Sequence, residues 1–371
     1  MKVLAFLKKE IVLTIALVLA VVSSFIVPPD AGYIDYIDFR TLAILFCLMA
    51  VMAGLQKSGV FSFVAEKLLQ NVKHIRMAAF ILIALCFFSS MLITNDVALI
   101  TFVPFTFLVL SMIGAETLVV PVVVMQTIAA NLGSMLTPIG NPQNLYLYGK
   151  AGSGLGAFVL LMLPYAAAAF VLLTLWCTVF RYKGETRVAY VPQRMTDLSK
   201  SKLQIAVYGV LFVLSLLTVA HIIPWGATLA ITVVAVFFLD KKVLGDVDHA
   251  LLLTFVGFFV FIGNMGRVPA FNALLSRVIE SNEVLTAVLC SQFMSNVPAA
   301  LLLSGFTARY DLLLIGTNLG GLGTIIASMA SLISFKYIGR DYKALRGKYM
   351  LYFTAANLIF LAILLALWFV L

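Results

Sequence analysis

Two short polar sequences stand out because each places hydroxyl and amide side chains in an apolar region. The first is SMLITND at residues 90–96, and the second is SQFMSNV at residues 291–297. In both, a Ser is followed four residues later by Thr or Ser and then by Asn, which puts the two hydroxyls on one helix face. Hydroxyl and amide oxygens are hard ligands that suit Na⁺ or polar solutes and do not suit soft metals. The alternative is that the hydroxyls bond back to their own helices.

Asp96 completes the first of these sequences and is the only carboxylate in either one. Each sequence lies between two apolar arms, so we predict two helical hairpins, 77–113 and 282–308, with the polar residues at their tips. An ionisable group in such surroundings is by default a functional candidate. Asp96 could bind a coupling cation or carry a proton; its structural alternative is to cap the second arm of the hairpin.

Downstream of each hairpin lies a stretch rich in Gly and Asn, and the two stretches align without gaps. NLGSMLTPIGNPQN at 131–144 matches NLGGLGTIIASMAS at 318–331. Gly and Pro at this density do not sustain a continuous helix, so we expect broken helices within 118–148 and 311–335. A break exposes free carbonyls on one half-helix and free N–H groups on the other, which together can hold a cation and an anion.

The composition indicates what surrounds these elements. Hydrophobic residues make up 63% of the 371 residues and charged residues 11%, against roughly a quarter charged in a soluble domain. Apolar stretches of about 17 to 25 residues recur, the length that crosses the hydrocarbon core of a bilayer. We therefore predict an all-α, polytopic membrane protein with about ten embedded segments. Besides the hairpins and broken helices, the predicted spans are 11–27, 38–54, 156–180, 203–220, 223–239, 250–266 and 349–371.

The net charge of +9 predicts an orientation in the membrane. On the predicted topology, 20 of the 25 Lys and Arg residues fall on the face that carries the N-terminus. By the positive-inside rule that face is cytoplasmic. We therefore expect a cytoplasmic-membrane protein with its N-terminus inside, whose basic charge requires no nucleic-acid partner.

The two halves of the chain also predict an inverted repeat. A span ending in GLQKSGV at 54–60 precedes an amphipathic stretch, 59–73, and a span ending in GNMGRVP at 263–269 precedes another, 267–281. On the predicted topology these spans run in opposite directions, as is common in secondary transporters whose site lies between the repeats. The arms of 282–308 are too short to cross a bilayer at about 1.5 Å per residue. We therefore expect re-entrant hairpins with their tips inside the membrane.

The sequence offers no constellation typical of catalysis. His74, His221 and His249 form no triad or metal-binding pattern, and the four cysteines lack metal-ligand spacing. There is no glycine-rich phosphate loop followed by Lys and Ser or Thr. We expect no cofactor beyond a coupling ion, and a membrane enzyme or receptor is a minor alternative.

At the tips and breaks the sequence resembles the ion transporter superfamily, which includes arsenite permeases, NhaD-type sodium/proton antiporters, citrate transporters and divalent anion–sodium symporters. The motifs that carry the resemblance are TND at 94–96, TPIGNPQN at 137–144 and SNVP at 295–298. They look most similar to the inner-membrane anion permeases of the YbiR type, and the likeness in architecture covers nearly the whole chain. It implies secondary transport of a small anion, coupled to Na⁺ or H⁺.

The resemblance further implies site residues, because the symporters hold two Na⁺ ions and the substrate carboxylates at their hairpin tips and helix breaks. Carried onto matching positions, the first sodium site is Ser90, Thr94, Asn95 and Gly140. The second is Ser291, Ser295, Asn296 and, at the break, Ser328. The solute contacts would be Asn95, Asp96, Asn141, Asn144, Asn296, Val297 and Thr324.

Two tip residues depart from the symporter pattern. Asp96 and Val297 stand where those proteins have threonines. An Asp that faces the site repels a dianion unless a cation or proton neutralises it, so we expect a monovalent or weakly charged anion, or an oxyanion. The alternative is a Na⁺/H⁺ antiporter in which Asp96 exchanges the two cations.

The resemblance also implies an elevator-type mechanism, in which a transport unit shifts against a scaffold and two copies pair through the scaffold as a homodimer. The scaffold would comprise 1–75 and 203–281, with the amphipathic stretches 59–73 and 267–281 as arms. The transport unit would comprise 76–180 and 282–371. Residues 181–202 would form a cytoplasmic linker.

Overall fold

The computed structural model describes residues 10–70, 72–179, 198 and 202–371. The predicted linker 181–202 therefore lies outside the described residues, apart from Leu198 and Lys202. In chain order the helices are α1 (Ile11–Ile26), α2 (Phe39–Lys57), α3 (Val60–Leu69), α4 (Ile75–Ile93), α5 (Asn95–Met112), α6 (Val119–Ser134), α7 (Pro142–Ala151), α8 (Leu155–Val179), α9 (Lys202–Val219), α10 (Trp225–Asp240), α11 (His249–Gly266), α12 (Pro269–Ser281), α13 (Glu283–Met294), α14 (Asn296–Ser304), α15 (Tyr310–Leu319), α16 (Met329–Asp341) and α17 (Arg346–Val370).

Eight helical segments in the described part of the chain are long and apolar enough to cross a membrane. They are Phe39–Lys57, Ile75–Ile93, Asn95–Met112, Glu116–Ser134, Leu155–Val179, Lys202–Val219, His249–Gly266 and Lys343–Val370. The apolar helices α1 and α13 are shorter, with 16 and 12 residues. The prediction of an all-α, multi-pass membrane protein is confirmed.

The two predicted hairpins turn at single residues with nearly the same backbone geometry. Thr94 separates α4 from α5 with φ 68° and ψ 153°, and Ser295 separates α13 from α14 with φ 76° and ψ 154°. Only glycine adopts this region readily, and other residues held there concentrate at functional sites. The coincidence of two such residues marks the tips as equivalent, specialised turns.

Two further helices are interrupted. The chain is non-helical over 135–141, between α6 and α7, and over 320–328, between α15 and α16. These are the places where glycine and proline density predicts a break. The amphipathic stretches form α3 and α12, which directly precede the hairpins in the chain.

The interrupted helices lie at the centre of the packing. All sixteen residues of α6 are buried, and α6 packs on α4, α5 and α8. In the other half α15 packs on α13 and α14, and α7 joins the halves by contacting α14 and α15. The division into a scaffold and a transport unit stays a prediction.

The outer helices pack as a second set and are tied together by ion pairs. α1 packs on α11, and α2 packs on α9 and α10. Arg267, after α11, donates to Asp30 Oδ2 at 2.8 Å and to the Tyr36 hydroxyl at 3.0 Å. The hydrogen bond from Arg267 holds the pKa of Asp30 below its usual value. This pair joins the α1–α2 connection to the end of α11.

Candidate functional site

Each hairpin tip is hydrogen-bonded to the helix break that follows it in the chain. The Asn95 N–H donates to the Gly140 carbonyl at 3.2 Å, and the Asn296 N–H donates to the Ala327 carbonyl at 2.9 Å. In return, a hydroxyl from each break donates a hydrogen bond to a carbonyl of the hairpin. Thr137 Oγ1 donates to the Met91 carbonyl, and Thr324 Oγ1 donates to the Gln292 carbonyl at 3.0 Å. The two halves therefore use matching backbone positions, which supports the predicted repeat.

Glycines allow the hairpins to lie this close to the broken helices. A Cβ at Gly133 would lie 2.0 Å from the Phe87 carbonyl oxygen and 2.7 Å from Ser90 Oγ. A Cβ at Gly320 would lie 2.7 Å from Ser291 Oγ. Since real Cβ atoms do not approach so closely, the absence of a side chain at both glycines is required for the observed contact.

The first hydroxyl of each tip sequence is buried and bonded to its own helix. Ser90 Oγ donates to the Phe87 carbonyl at 2.9 Å, and Ser291 Oγ donates to the Ala287 carbonyl at 2.7 Å. Both side chains are 0% exposed. These bonds correspond to the alternative interpretation, in which the tip hydroxyls bond back to their own helices. They use the hydroxyl hydrogens and leave the oxygen lone pairs able to accept or to coordinate, so the predicted sodium-ligand roles stay predictions.

Asn131, in the last turns of α6, connects the first tip with the second break. Its Oδ1 accepts from Asn95 Nδ2 at 3.0 Å and from Ser328 Oγ at 2.9 Å. All three residues are buried. Among the predicted sodium ligands, Asn95 from the first site and Ser328 from the second thus meet at one acceptor atom.

The other break residues form a second buried group around Asn318. Asn318 Nδ2 donates to Asn144 Oδ1 at 2.7 Å, and Asn144 Nδ2 donates to the Ser134 and Thr137 carbonyls at 3.3 and 3.2 Å. Both amide hydrogens of Asn144, a predicted solute contact, are thus used by protein atoms, and its Oδ1 keeps one acceptor lone pair. Asn141 Nδ2 donates to Ser134 Oγ at 2.7 Å, whereas Asn141 Oδ1 is buried without a partner among the described residues.

Asp96 lies at the start of α5 and is half-buried. Its N–H donates to Asn95 Oδ1 at 2.9 Å. Its carboxylate oxygen Oδ1 is buried, and no group in the described part of the chain donates to it. A buried acceptor that the protein leaves unpaired is unfavourable unless a bound species satisfies it. A cation, a proton or a solute hydroxyl has the required chemistry.

The remaining predicted residues of the second half differ in their exposure. Asn296 and Val297 begin α14 and are buried, and Ser295 Oγ donates to Asn296 Oδ1 at 3.4 Å. Thr324 is exposed within the second break. Val297 presents only an apolar side chain, so the second tip has no counterpart of the Asp96 carboxylate.

Gln292 is a structural site residue that the sequence reasoning missed. Its Nε2 donates to the Gly320 and Leu322 carbonyls, both at 3.0 Å, and its Oε1 accepts from the Thr324 N–H at 2.8 Å. It therefore satisfies the backbone of the second break. The available signal was its position, because it is an uncharged polar residue directly after Ser291 in the tip sequence.

Comparison with known proteins identifies relatives across most of the chain. Residues 3–309 match the profile of the family described as Citrate transporter. The inner membrane protein YbiR of Escherichia coli strain K12 is 32% identical over 320 residues, which is 84% of each chain. An uncharacterised transporter of Methanocaldococcus jannaschii is 29% identical over 320 residues, which is 85% of each chain.

A further relative is the magnetosome protein MamN of Magnetospirillum gryphiswaldense, 27% identical over 256 residues, which is 63% of this chain and 57% of its own. The match to the family profile includes both hairpins and the first break, the elements that carry the buried polar groups. These findings confirm the resemblance visible in the tip and break motifs. The chain belongs to the citrate transporter family of membrane transporters.

Proposed function

We propose that the chain is a secondary active transporter that moves a small anion across the cytoplasmic membrane, coupled to Na⁺ or H⁺. The observation that carries this proposal is Asp96 Oδ1 at a hairpin tip, which is buried and has no hydrogen-bond partner in the part of the chain that the structure describes. The tip is bonded to a helix break through Asn95 and Gly140. Carbonyl ends and N–H ends of interrupted helices are the elements with which transporters hold cations and anions.

The cation would bind near the tips and the solute between them. The first cation site uses oxygen atoms of Ser90, Thr94, Asn95 and Gly140, and a second uses Ser291, Ser295, Asn296 and Ser328. Asp96 carries the coupling, because its negative charge attracts the driving ion and the net charge of the site changes when that ion leaves. The solute contacts would be Asn95, Asp96, Asn141, Asn144, Asn296, Val297 and Thr324.

The movement we propose is of the elevator type. The two hairpins and broken helices form one packed group, and the Asn131 bonds to both halves support its moving as a unit. The helices α1, α2, α9, α10 and α11 would be the scaffold, with α3 and α12 as hinged arms. A homodimer through the scaffold, re-entrant hairpins and a cytoplasmic N-terminus complete the proposal.

A Na⁺/H⁺ antiporter is a second candidate, because the unpartnered Asp96 oxygen could equally exchange a proton for Na⁺. The two functions differ in whether an anion crosses the membrane. Purified protein in liposomes distinguishes them when uptake of labelled anions and internal pH are followed under an imposed Na⁺ or H⁺ gradient. Cation exchange without any anion flux would favour the antiporter.

The decisive variant is Asp96→Asn, which keeps the shape and one oxygen but removes the charge. We expect it to fold and to lose gradient-driven accumulation, with any remaining flux independent of the gradient. Asp311→Asn is the matched control, because Asp311 is an exposed carboxylate 3.5 Å from Arg309. If Asp96→Asn accumulates the anion as the unmodified protein does, the charge of Asp96 does not carry the coupling.

A further inference from the structure

Gln143, the second residue of α7, has a side chain that is 0% exposed. Neither its Oε1 nor its Nε2 has a hydrogen-bond partner among the residues that the structure describes. A Gln amide accepts through its oxygen and donates two hydrogens through its nitrogen. Buried amides in folded proteins are normally paired with protein, water or a ligand. Gln143 therefore has binding capacity that the described chain leaves unused.

The direction of this side chain follows from Tyr146, three residues later on the same helix face. Tyr146 Oη lies 2.9 Å from Ser304 Oγ of α14, and its ring centroid lies 5.5 Å from that of Phe259 in α11. The face of α7 that carries Gln143 therefore lies towards the second hairpin and α11. Asn144 turns instead into the first break, where protein atoms use its amide.

The start of α7 favours an anion beside Gln143. No side chain caps this ten-residue helix, although Asn141 occupies the N-cap position. The first N–H groups of a helix carry a partial positive charge and attract anions. The start of α7 and the Gln143 amide together thus supply donors suited to an anionic oxygen and, in Gln143 Oε1, an acceptor suited to a hydroxyl.

We propose that Gln143 contacts the transported solute and that this solute is a small oxyanion that retains a hydroxyl group. The inference rests on the proposed function, whose substrate class it specifies. Nε2 donates to an anionic oxygen of the solute, and Oε1 accepts from its hydroxyl. An anion without a hydroxyl leaves Oε1 unpaired, and sites built around a hydrogen bond discriminate strongly against a ligand that cannot make it.

The test compares matched anions in the liposome assay. Glycolate and acetate differ by one hydroxyl, as do lactate and propionate, and bicarbonate is set against nitrate. We expect the unmodified protein to prefer the hydroxylated member of at least one pair. Gln143→Leu keeps the approximate shape and removes both polar atoms, and it should lower that preference at least about tenfold, the equivalent of one lost hydrogen bond to the solute.

Gln126→Leu is the control, since the Nε2 of Gln126 donates within the protein, to the Leu82 carbonyl at 3.1 Å and to Thr106 Oγ1 at 2.8 Å. Its Oε1, like that of Gln143, has no partner among the described residues, so this variant also controls for the loss of an unpaired buried oxygen away from the break. It should leave the preference unchanged. Gln143→Met serves as a second variant if Gln143→Leu does not fold. An unchanged preference in the Gln143 variants, or equal uptake of both members of every pair, overturns the inference while the proposed anion transport stands. If no anion moves at all, the proposed function fails, and the inference fails with it.

The unfolding temperature without added solute distinguishes a solute contact from a buried structural water. Removing an unpaired polar group from an apolar site is neutral or stabilising, so Gln143→Leu should unfold at the same temperature as the unmodified protein or higher. A Gln that holds an ordered water as part of the fold predicts a lower unfolding temperature. A lower value combined with unchanged solute preference would assign Gln143 to the structure alone.

Discussion

In the second half of the chain Gln292 reaches from the hairpin into the helix break, whereas Met91 occupies the matching place in the first half. The second break is also capped from within, because Ser328 Oγ accepts from the Ala330 N–H at the start of α16. At the first break Asn141 occupies the corresponding place without capping α7. Different side chains thus complete the same backbone arrangement in the two halves.

Among the described residues, the buried side-chain atoms that lack a hydrogen-bond partner are distributed unequally between the two halves of the chain. At the first tip and break they are Asp96 Oδ1, Asn141 Oδ1 and both amide atoms of Gln143. Within the described residues of the matching second-half segments, 291–297 and 318–331, one buried side-chain atom lacks a partner, Ser331 Oγ of α16. At the tips and breaks, buried side-chain atoms without a partner among the described residues are therefore more numerous in the first half than in the second.

Substituting alanine for Gly133 or Gly320 should give the largest loss of stability and the clearest difference between the two halves. The Gly133 Cβ would meet a backbone oxygen at 2.0 Å, which cannot move without shifting α4, whereas the Gly320 Cβ would meet the Ser291 hydroxyl at 2.7 Å and the Gly316 carbonyl at 2.8 Å. We expect Gly133→Ala to cost about 3 kcal/mol and Gly320→Ala about half of that. Unfolding in detergent, followed by circular dichroism, measures both. Equal losses would contradict the inequality.

An intermediate effect is expected at the Gln292 and Met91 pair. Gln292→Met leaves the Gly320 and Leu322 carbonyls and the Thr324 N–H without their side-chain partners, so it should destabilise the protein by about 2 kcal/mol. Met91→Gln is the reciprocal change, and Met91→Leu is its control. Met91→Leu should lower the free energy of unfolding by about 1 kcal/mol or less. The same unfolding assay applies. A Gln292→Met protein as stable as Met91→Leu would remove the structural role assigned to the second break.

The smallest effect concerns single hydroxyls in the second half. Ser328→Ala removes a helix cap and a bond to Asn131, and should cost about 1 kcal/mol. Ser331→Ala removes a buried hydroxyl for which no described residue is a partner, so it should be neutral or slightly stabilising. Thermal unfolding of the two variants side by side tests whether partnered and unpartnered hydroxyls differ. A greater loss for Ser331→Ala would show that its hydroxyl has a partner.

The sequence predicted the elements of this site well because local properties determine them. Hydropathy located the hairpin 77–113 within a few residues of α4 and α5, and glycine and proline density located the interruption at 135–141. The turn residues Thr94 and Ser295 directly precede the asparagines that were expected at the tips. Each of these features depends on a short stretch of chain.

The sequence did not predict which side chains are paired. Gln292 and Gln143 are both glutamines in apolar surroundings, but one bonds to a break some thirty residues away and the other bonds to nothing described. Asn144, a predicted solute contact, donates to two backbone carbonyls, those of Ser134 and Thr137, which the sequence did not predict. These outcomes depend on how closely distant segments approach, which periodicity and spacing do not encode.

The shared acceptor Asn131 Oδ1 has a mechanical consequence. It holds Asn95 of the first tip at 3.0 Å and Ser328 of the second break at 2.9 Å, and a hydrogen bond weakens steeply once its atoms separate beyond about 3.5 Å. The two parts can therefore slide relative to each other by only a fraction of an ångström while both bonds persist. In any larger displacement with both bonds intact, the first tip and the second break must move together. Asn131 Oδ1 therefore couples the positions of the two halves.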